Sequence, residues 1–187
     1  MSVLCYSFGY KNKNNNVNLV FIGDGDNKVT KYISTQIKEL NIEDSVFLLG
    51  RKNNPYKYIK ASKVLALSSH YEGTPNVIVE SIAVGIPIVS SYCTKGVIEL
   101  MSLIDYDEQS ENIILESGIV TPNLFKGVLG IPKYKEFIEE EYKFAEALEL
   151  VLKNDTFKQS LSKVQLDLLS KFDLEIVANK YLTKTAI

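Results

Sequence analysis

The sequence predicts an α/β fold with a Rossmann-like, doubly wound parallel sheet, and two observations support this. Short runs of β-forming residues alternate with helical patterns through the first half of the chain. The runs are almost solid Val, Ile and Leu, which is typical of strands that are buried on both faces. The length of 187 residues suits one domain, so we treat 1–187 as a single unit that includes the helices predicted over 136–187.

Four strands are predicted in the first half, over residues 17–23, 45–50, 63–69 and 86–91. An amphipathic helix is predicted after the first strand, because Val29, Tyr32, Ile33, Ile37 and Leu40 recur at helical spacing. A short helical piece follows Pro55.

The next predicted helix spans 75–84, with Pro75 at its first position and with Gly85 and Pro87 ending it. The second half of the chain changes character. One or two short strands are predicted over 112–122, followed by an irregular loop over 123–135 and three helical segments. The apolar loop residues Phe125, Val128, Leu129 and Ile131 either pack on their own domain or touch a membrane or a partner domain.

Composition excludes several classes of function. A net charge of −2 gives no basic surface for a nucleic acid. Two cysteines and one histidine make neither a disulfide framework nor a metal site of Cys and His, and a reducing cytoplasm is the expected compartment. No stretch approaches the roughly 18 apolar residues of a membrane span.

Glu80 is the most unusual residue of the predicted 75–84 helix, because apolar residues surround it on both sides. In an open α/β sheet, ligands bind outside the carboxyl ends of the strands, where this helix begins. Free amides from Asn76 onward suit a phosphate or a sugar hydroxyl. A buried carboxylate needs a partner, and the vicinal hydroxyls of a ribose are one possibility. A helix rim, where Glu80 reaches solvent or a lysine, is the other.

The stretch "EGTPNVIVE" (72–80) resembles the E-x7-E motif of the group 1, retaining nucleotide-sugar glycosyltransferases of two-domain GT-B architecture. The flanking stretches "NLVFIGDG", "IEDSVFLLG", "KGVIEL" and "ESGIVTP" resemble other parts of that family. The resemblance covers roughly residues 17 to 122 in register and implies the C-terminal, donor-binding half of a GT-B fold.

The resemblance also implies roles for individual residues. Glu72 would be the catalytic carboxylate, contacting donor-sugar hydroxyls and stabilising charge near the anomeric carbon, and Glu80 would hold the ribose. The remaining donor-binding residues would be Gly23, Arg51, His70, Gly73, Thr74, Pro75, Asn76 and Val77. Among these, Arg51 would flank the nucleobase, and the amides at 73, 74, 76 and 77 would contact the donor sugar and the distal phosphate.

The implied activity is that of a hexosyltransferase. It would take a UDP- or GDP-sugar and pass the sugar, with retention, to a glycan or lipid-linked acceptor, without metal or cofactor. In this family an Arg and a Lys from a "GR…K" segment neutralise the diphosphate, and an N-terminal domain binds the acceptor. We expect this chain to lack both, and therefore to transfer little by itself. The full enzyme is expected in the cytoplasm, with peripheral association at the inner face of the membrane as a possibility.

Other readings remain open. A non-catalytic module that binds a nucleotide sugar, or a subunit needing a separate acceptor domain, is the first alternative. A nucleotide-sugar isomerase with a nicotinamide cofactor is the second, although Lys28 replaces the third glycine that "GDGDNK" would need for a dinucleotide motif. Asp24-x-Asp26 and Asp105-x-Asp107 match a two-letter metal motif, but so short a match is weak.

Overall fold

The computed structural model describes residues 17–125, 127 and 137–184. Its first half consists of β1 (Leu19–Phe21), α1 (Asn27–Glu39), β2 (Val46–Leu48), α2 (Tyr56–Ala61), β3 (Leu65–Leu67), α3 (Asn76–Ala83), β4 (Ile88–Ser91) and α4 (Gly96–Met101). The hairpin strands β5 (Ile113–Leu115) and β6 (Gly118–Thr121) follow, and then the helices α5 (Glu139–Lys153), α6 (Thr156–Ser170) and α7 (Leu174–Lys184).

The predicted strands and helices are therefore confirmed, with strands shorter than the apolar runs that predict them. Most of the predicted loop over 123–135, including Val128, Leu129 and Ile131, lies outside the described residues. Among the described helices, none combines the length and the apolar character that crossing a bilayer requires.

The strands form two hydrogen-bonded ladders. In the first, β1 pairs with β2 in parallel, with Leu19 opposite Val46. In the second, the order is β3-β4-β6-β5, where β3, β4 and β6 are parallel and β5 is antiparallel to β6. Parallel neighbours joined by helical crossovers make this an α/β fold, as predicted.

Two details differ from the expected single, fully covered parallel sheet. Among the described residues, no backbone hydrogen bond joins the first ladder to the second. In the first ladder, Val20 and Phe47 remain 43% and 44% exposed, although their strands are apolar. The physical reason is that α1 packs on one face of this ladder, where Ile33 and Ile37 cluster with Val46.

Strand β4 lies at the centre of the core. All four of its residues are buried, and consecutive side chains point to opposite faces of the sheet. Ile88 packs on one face with Ile78 and Ile82 of α3, and Val89 packs on the other with Phe144 of α5. The second cluster also contacts Leu19 and Phe21 of β1, so side-chain packing connects the two ladders.

Helix α3 begins one residue later than predicted. Pro75 occupies the N-cap rather than the first helical position, and no side chain caps the helix there. At the other end, Gln165 of α6 donates from Nε2 to the carbonyl oxygens of Ile82 (2.8 Å) and Ala83 (3.1 Å). The bond to Ala83 satisfies a carbonyl that the end of the helix leaves open, whereas the carbonyl of Ile82 also accepts from the N–H of Gly85.

Gly118 is the glycine on which the pairing of β4 with β6 depends. Its φ is +147°, and a Cβ there would lie 1.8 Å from the carbonyl oxygen of Ile88. We expect Gly118→Ala to lower the free energy of unfolding by about 3 kcal/mol or more, because strain and overlap add. Urea denaturation followed by circular dichroism measures this.

Gly73→Ala is the matched control, since no atom lies within 4 Å of a Cβ at that position. It should change stability by less than about 0.5 kcal/mol. Equal effects of the two substitutions would contradict the close approach of β6 to β4.

Candidate functional site

The connection between β3 and α3 gathers most of the predicted site residues. It runs through residues 68–75 without regular structure, and it holds His70, Glu72 and Gly73 at the carboxyl end of the sheet. Glu80 follows within the third helix, at its fifth residue. This is the location at which open α/β sheets bind ligands.

Unpaired backbone amides line the start of α3. The N–H groups of Gly73, Thr74, Asn76 and Val77 have no acceptor within the described part of the chain, whereas that of Ile78 donates to the carbonyl of Pro75 at 3.0 Å. The helix dipole adds partial positive charge at the same end. The arrangement suits an anion or a hydroxyl-rich ligand.

Gly73 leaves the approach to these amides open. A Cβ there would meet no atom within 4 Å, and a Cβ on Gly96, the first residue of α4, would lie 3.9 Å from the carbonyl oxygen of Gly73. The N-terminal ends of α3 and α4 therefore come close together at this point. A side chain at position 73 would project into open space.

Glu80 is half-buried. In the ranges 17–125 and 137–184, its carboxylate has neither a hydrogen bond nor an ion pair, and its backbone carbonyl accepts from Val84. The sequence leaves open that Glu80 pairs with a lysine. Among the described residues, no lysine pairs with its carboxylate. A half-buried carboxylate without a partner loses part of its hydration and gains nothing in return.

Glu72 is also half-buried, but it has a partner. Ser69 donates from Oγ to Oε1 of Glu72 at 2.7 Å. The negative charge of Glu72 also reaches Cys93, which is buried: burial, with Glu72 as the second cause, raises the pKa of the Cys93 thiol to about 11. The thiol is therefore protonated at neutral pH, as expected of a buried cysteine that serves as a small apolar side chain.

His70 packs against Phe125 from the segment after β6. The ring centroids are 5.9 Å apart and the planes are inclined by 45°. Burial of the imidazole lowers the pKa of His70 below its ordinary value. The contact lies on one side of the β3–α3 connection, and the lowered pKa favours the neutral imidazole.

Gly23 and Arg51 form a separate group at the end of the first ladder. The N–H of Gly23 donates to the carbonyl of Gly50, and the N–H of Arg51 donates to Oδ1 of Asp24, both at 3.0 Å. Both positions lie at the carboxyl ends of their strands. No hydrogen bond among the described residues connects this group to the β3–α3 connection.

The two aspartate pairs have local contacts. Asp24 accepts the bond from Arg51, and Asp26 caps α1 by accepting from the N–H of Lys28 at 2.8 Å. Asp105 forms an ion pair with Lys95 at 3.4 Å. Across the described ranges, no three His, Cys, Asp or Glu side chains come together as a metal site would require. That the reaction needs no metal or cofactor stays a prediction.

A large open cavity of about 580 Å³ lies beside this region, and Pro122, Asn123 and Phe125 line it. Glu108 and Glu140 line it as well, and their carboxylates would repel a diphosphate. The start of α3 also lies near two carboxylates, those of Glu72 and Glu80, but its open backbone amides offset negative charge, so we place the candidate anion site there and not in this cavity.

Sequence reasoning misses two serines that the structure brings to the site. Ser69 binds Glu72, and Ser91 donates from Oγ to the carbonyl oxygen of Ser69. The signal that could have indicated them is the pair of serines that ends each of the apolar runs "VLALSS" and "IPIVSS".

The fold matches that of GT-B glycosyltransferase structures. A protein of Anabaena, crystallised in complex with UDP-glucose, superimposes with a TM-score of 0.69 at 22% identity, over 99% of this chain and 44% of that one. A glycosyltransferase of Rickettsia africae superimposes with a TM-score of 0.72 at 14% identity, over 97% and 42% of the two chains.

The chain belongs to the group 1 glycosyl transferases, since the model of that family matches residues 6–103. An uncharacterized glycosyltransferase of Methanocaldococcus jannaschii is 27% identical over 173 residues, which is 89% of this chain and 41% of the relative. The N-acetylgalactosamine-N,N'-diacetylbacillosaminyl-diphospho-undecaprenol 4-alpha-N-acetylgalactosaminyltransferase of Campylobacter jejuni is 38% identical over 91 residues, 49% of this chain and 24% of the relative. The chain thus spans less than half the length of these relatives.

The lowered pKa of His70 gives a direct test, since the sequence contains one histidine. We expect the pKa of its imidazole to lie below 6.5 in the folded, untagged protein and at about 6.5 in urea. Because the unfolded chain then binds more protons than the folded chain between these two pKa values, unfolding should become easier as the pH falls through that window. An NMR titration of the ring protons measures both states.

His70→Asn is the control for the stability measurement, because it should remove this part of the pH dependence. A folded-state pKa at or above 6.5 would contradict the burial of His70 against Phe125.

Proposed function

We propose that this chain binds a nucleoside-diphosphate sugar at the start of α3 and forms the donor-binding part of a retaining glycosyltransferase. The observation that carries the proposal is the half-buried carboxylate of Glu80, which has no partner among the described residues. It lies one turn beyond a helix N-terminus with open amides. The carboxylate suits the hydroxyls of a ribose, and the open amides suit a phosphate, so the two together fit one nucleoside diphosphate.

The ribose of the donor would supply the hydrogen-bond donors that the Glu80 carboxylate lacks. Each of its vicinal hydroxyls can donate one hydrogen bond to a carboxylate oxygen, and bonds to charged groups are the stronger kind. The amides of Asn76 and Val77 are then available for the distal phosphate, and those of Gly73 and Thr74 for the donor sugar. Arg51 and Gly23, at the end of the first ladder, would border the nucleobase.

UDP is the first nucleotide to test. The protein of Anabaena has been crystallised with UDP and with UDP-glucose, and its fold matches that of this chain. GDP-sugars remain the alternative, because Arg51 can contact either base from an exposed position. The identity of the sugar follows from the same titrations.

Transfer requires Glu72 to act at the sugar. In the proposed reaction, the bond between the anomeric carbon and the diphosphate breaks, and an acceptor hydroxyl attacks from the same face. The proton of that hydroxyl leaves with the departing phosphate. Glu72 would hold the sugar hydroxyls and stabilise positive charge at the anomeric carbon, and the open amides would stabilise charge on the diphosphate.

The acceptor is proposed to be a glycan or a lipid-linked saccharide. The name of the Campylobacter relative contains diphospho-undecaprenol, a lipid carrier, which supports the second choice. A lipid-linked acceptor would bring the complete enzyme to the membrane surface. The protein would then work at the cytoplasmic face of the membrane.

Replacing Glu80 tests the proposal most directly. We expect Glu80→Ala to weaken binding of UDP by about 30-fold or more, because two charged hydrogen bonds to the ribose are lost. Calorimetric titration with UDP, GDP, ADP and their sugar conjugates measures this. Glu146→Ala, an exposed glutamate on α5, is the matched control and should leave all affinities unchanged.

Loss of binding in both variants would indicate a general effect of charge or folding. Unchanged binding in Glu80→Ala would move the nucleotide site elsewhere. Tightly bound nicotinamide cofactor in the purified protein would favour the isomerase instead.

The 187-residue chain by itself should bind the donor without passing the sugar to an acceptor. It spans 44% of the Anabaena chain, and the acceptor side of the cleft is proposed to come from the part that it does not match. A radiolabelled donor with a panel of glycan and lipid-linked acceptors measures transfer. Turnover at an enzyme-like rate would refute this expectation.

A further inference from the structure

The carboxylate of Glu72 is held in place before any ligand arrives. Ser69 Oγ donates to its Oε1 at 2.7 Å, and both side chains are half-buried. The two residues lie three positions apart in a connection without regular structure, so no helix or strand determines where Glu72 points. Hydrogen bonds between a hydroxyl and a carboxylate are short and strong, and this one suffices to select one side-chain conformation.

Ser69 is itself held by Ser91 at the end of β4. The backbone ladder between β3 and β4 ends with Leu67 opposite Ser90. Beyond that rung, the fully buried hydroxyl of Ser91 donates to the carbonyl oxygen of Ser69, with a second, longer contact of 3.5 Å to that of Leu67. The hydrogen bond from Ser91 thus connects the two strands' ends just beyond the last backbone pairing of β3 with β4.

We propose that Ser69 and Ser91 are positioning residues for the donor sugar, acting through Glu72. Ser91 fixes the backbone of Ser69, and the hydroxyl of Ser69 fixes the carboxylate of Glu72. This inference rests on the proposed function, because it assumes that Glu72 receives sugar hydroxyls. With Ser69 bound to Oε1, the second oxygen, Oε2, has all of its acceptor capacity left for the ligand.

The benefit of the arrangement is preorganisation. A glutamate side chain that is already ordered loses less conformational entropy when the ligand binds. The effect should concern only the part of the ligand that touches Glu72. Binding of the nucleotide should be independent of Ser69, and binding of the sugar should depend on it.

Titrations with UDP and UDP-glucose separate the two parts. The measured quantity is the ratio of the dissociation constant for UDP to that for UDP-glucose, which reports how much the glucose contributes to affinity. It is measured for wild type, Ser69→Ala, Glu72→Ala and the double variant. We expect Ser69→Ala to reduce this contribution about three- to tenfold and to leave the affinity for UDP within about twofold. Ser69→Thr, which keeps the hydroxyl, should restore it, and Ser34→Ala on α1 is the matched control.

The double variant distinguishes action through Glu72 from direct contact with the sugar. If Ser69 acts through Glu72, adding Ser69→Ala to Glu72→Ala has no further effect. Independent, multiplicative losses would overturn the inference. A wild-type-like ratio in Ser69→Ala alongside a loss in Glu72→Ala would overturn it too, while leaving the proposed function intact.

Failure of the wild type to bind either ligand would instead count against the proposed function. In that event, crystal structures of the unliganded variants still decide the inference. Ser69→Ala should release the Glu72 carboxylate from its position, and Ser91→Ala should displace the carbonyl of Ser69. An unmoved Glu72 in the first structure would refute the positioning role.

Discussion

Strand β4 pairs with β3 on one side and with β6 on the other, and the rest of the structure depends on these two pairings. Because its side chains alternate, Ile88 belongs to the core cluster that includes α3, and Val89 to the cluster that includes α5. The same strand ends at the candidate site, where Ser91 reaches the β3–α3 connection. Core and site thus share one element, and the position of the site follows from the packing of the core.

Electrostatics sets a further requirement on the candidate site. A diphosphate beside Glu72 and Glu80 brings negative charge towards two carboxylates, and this repulsion must be offset. Open amides and the dipole of α3 offset part of it. The nearby cation Lys95 is exposed and already paired with Asp105. In the proposed complex, the backbone amides at residues 73–77 would therefore carry part of the affinity for the phosphates.

Local features of this fold could be predicted from the sequence, and long-range ones could not. Apolar runs and helical spacing predict the strands and helices of the first half apart from α4, since these patterns are properties of neighbouring residues. The division into two ladders and the antiparallel β5 depend on pairings between distant segments. Glu80 is conspicuous in the sequence because apolar residues surround it, and Glu72 because it begins the stretch "EGTPNVIVE". Ser69 and Ser91 are not, because the value of a hydroxyl lies in the partner that the fold brings to it.

The division of the strands into two ladders also has a mechanical consequence. Backbone hydrogen bonds are directional and resist shear, whereas the apolar contacts of Leu19 and Phe21 with the cluster that includes Val89 are non-directional. In the described part of the chain, no backbone hydrogen bond joins the ladder of β1 and β2 to that of β3, and this side-chain packing connects the two. A small shift between the group that holds Gly23 and Arg51 and the one that holds Glu72 would therefore break no backbone hydrogen bond between the two ladders.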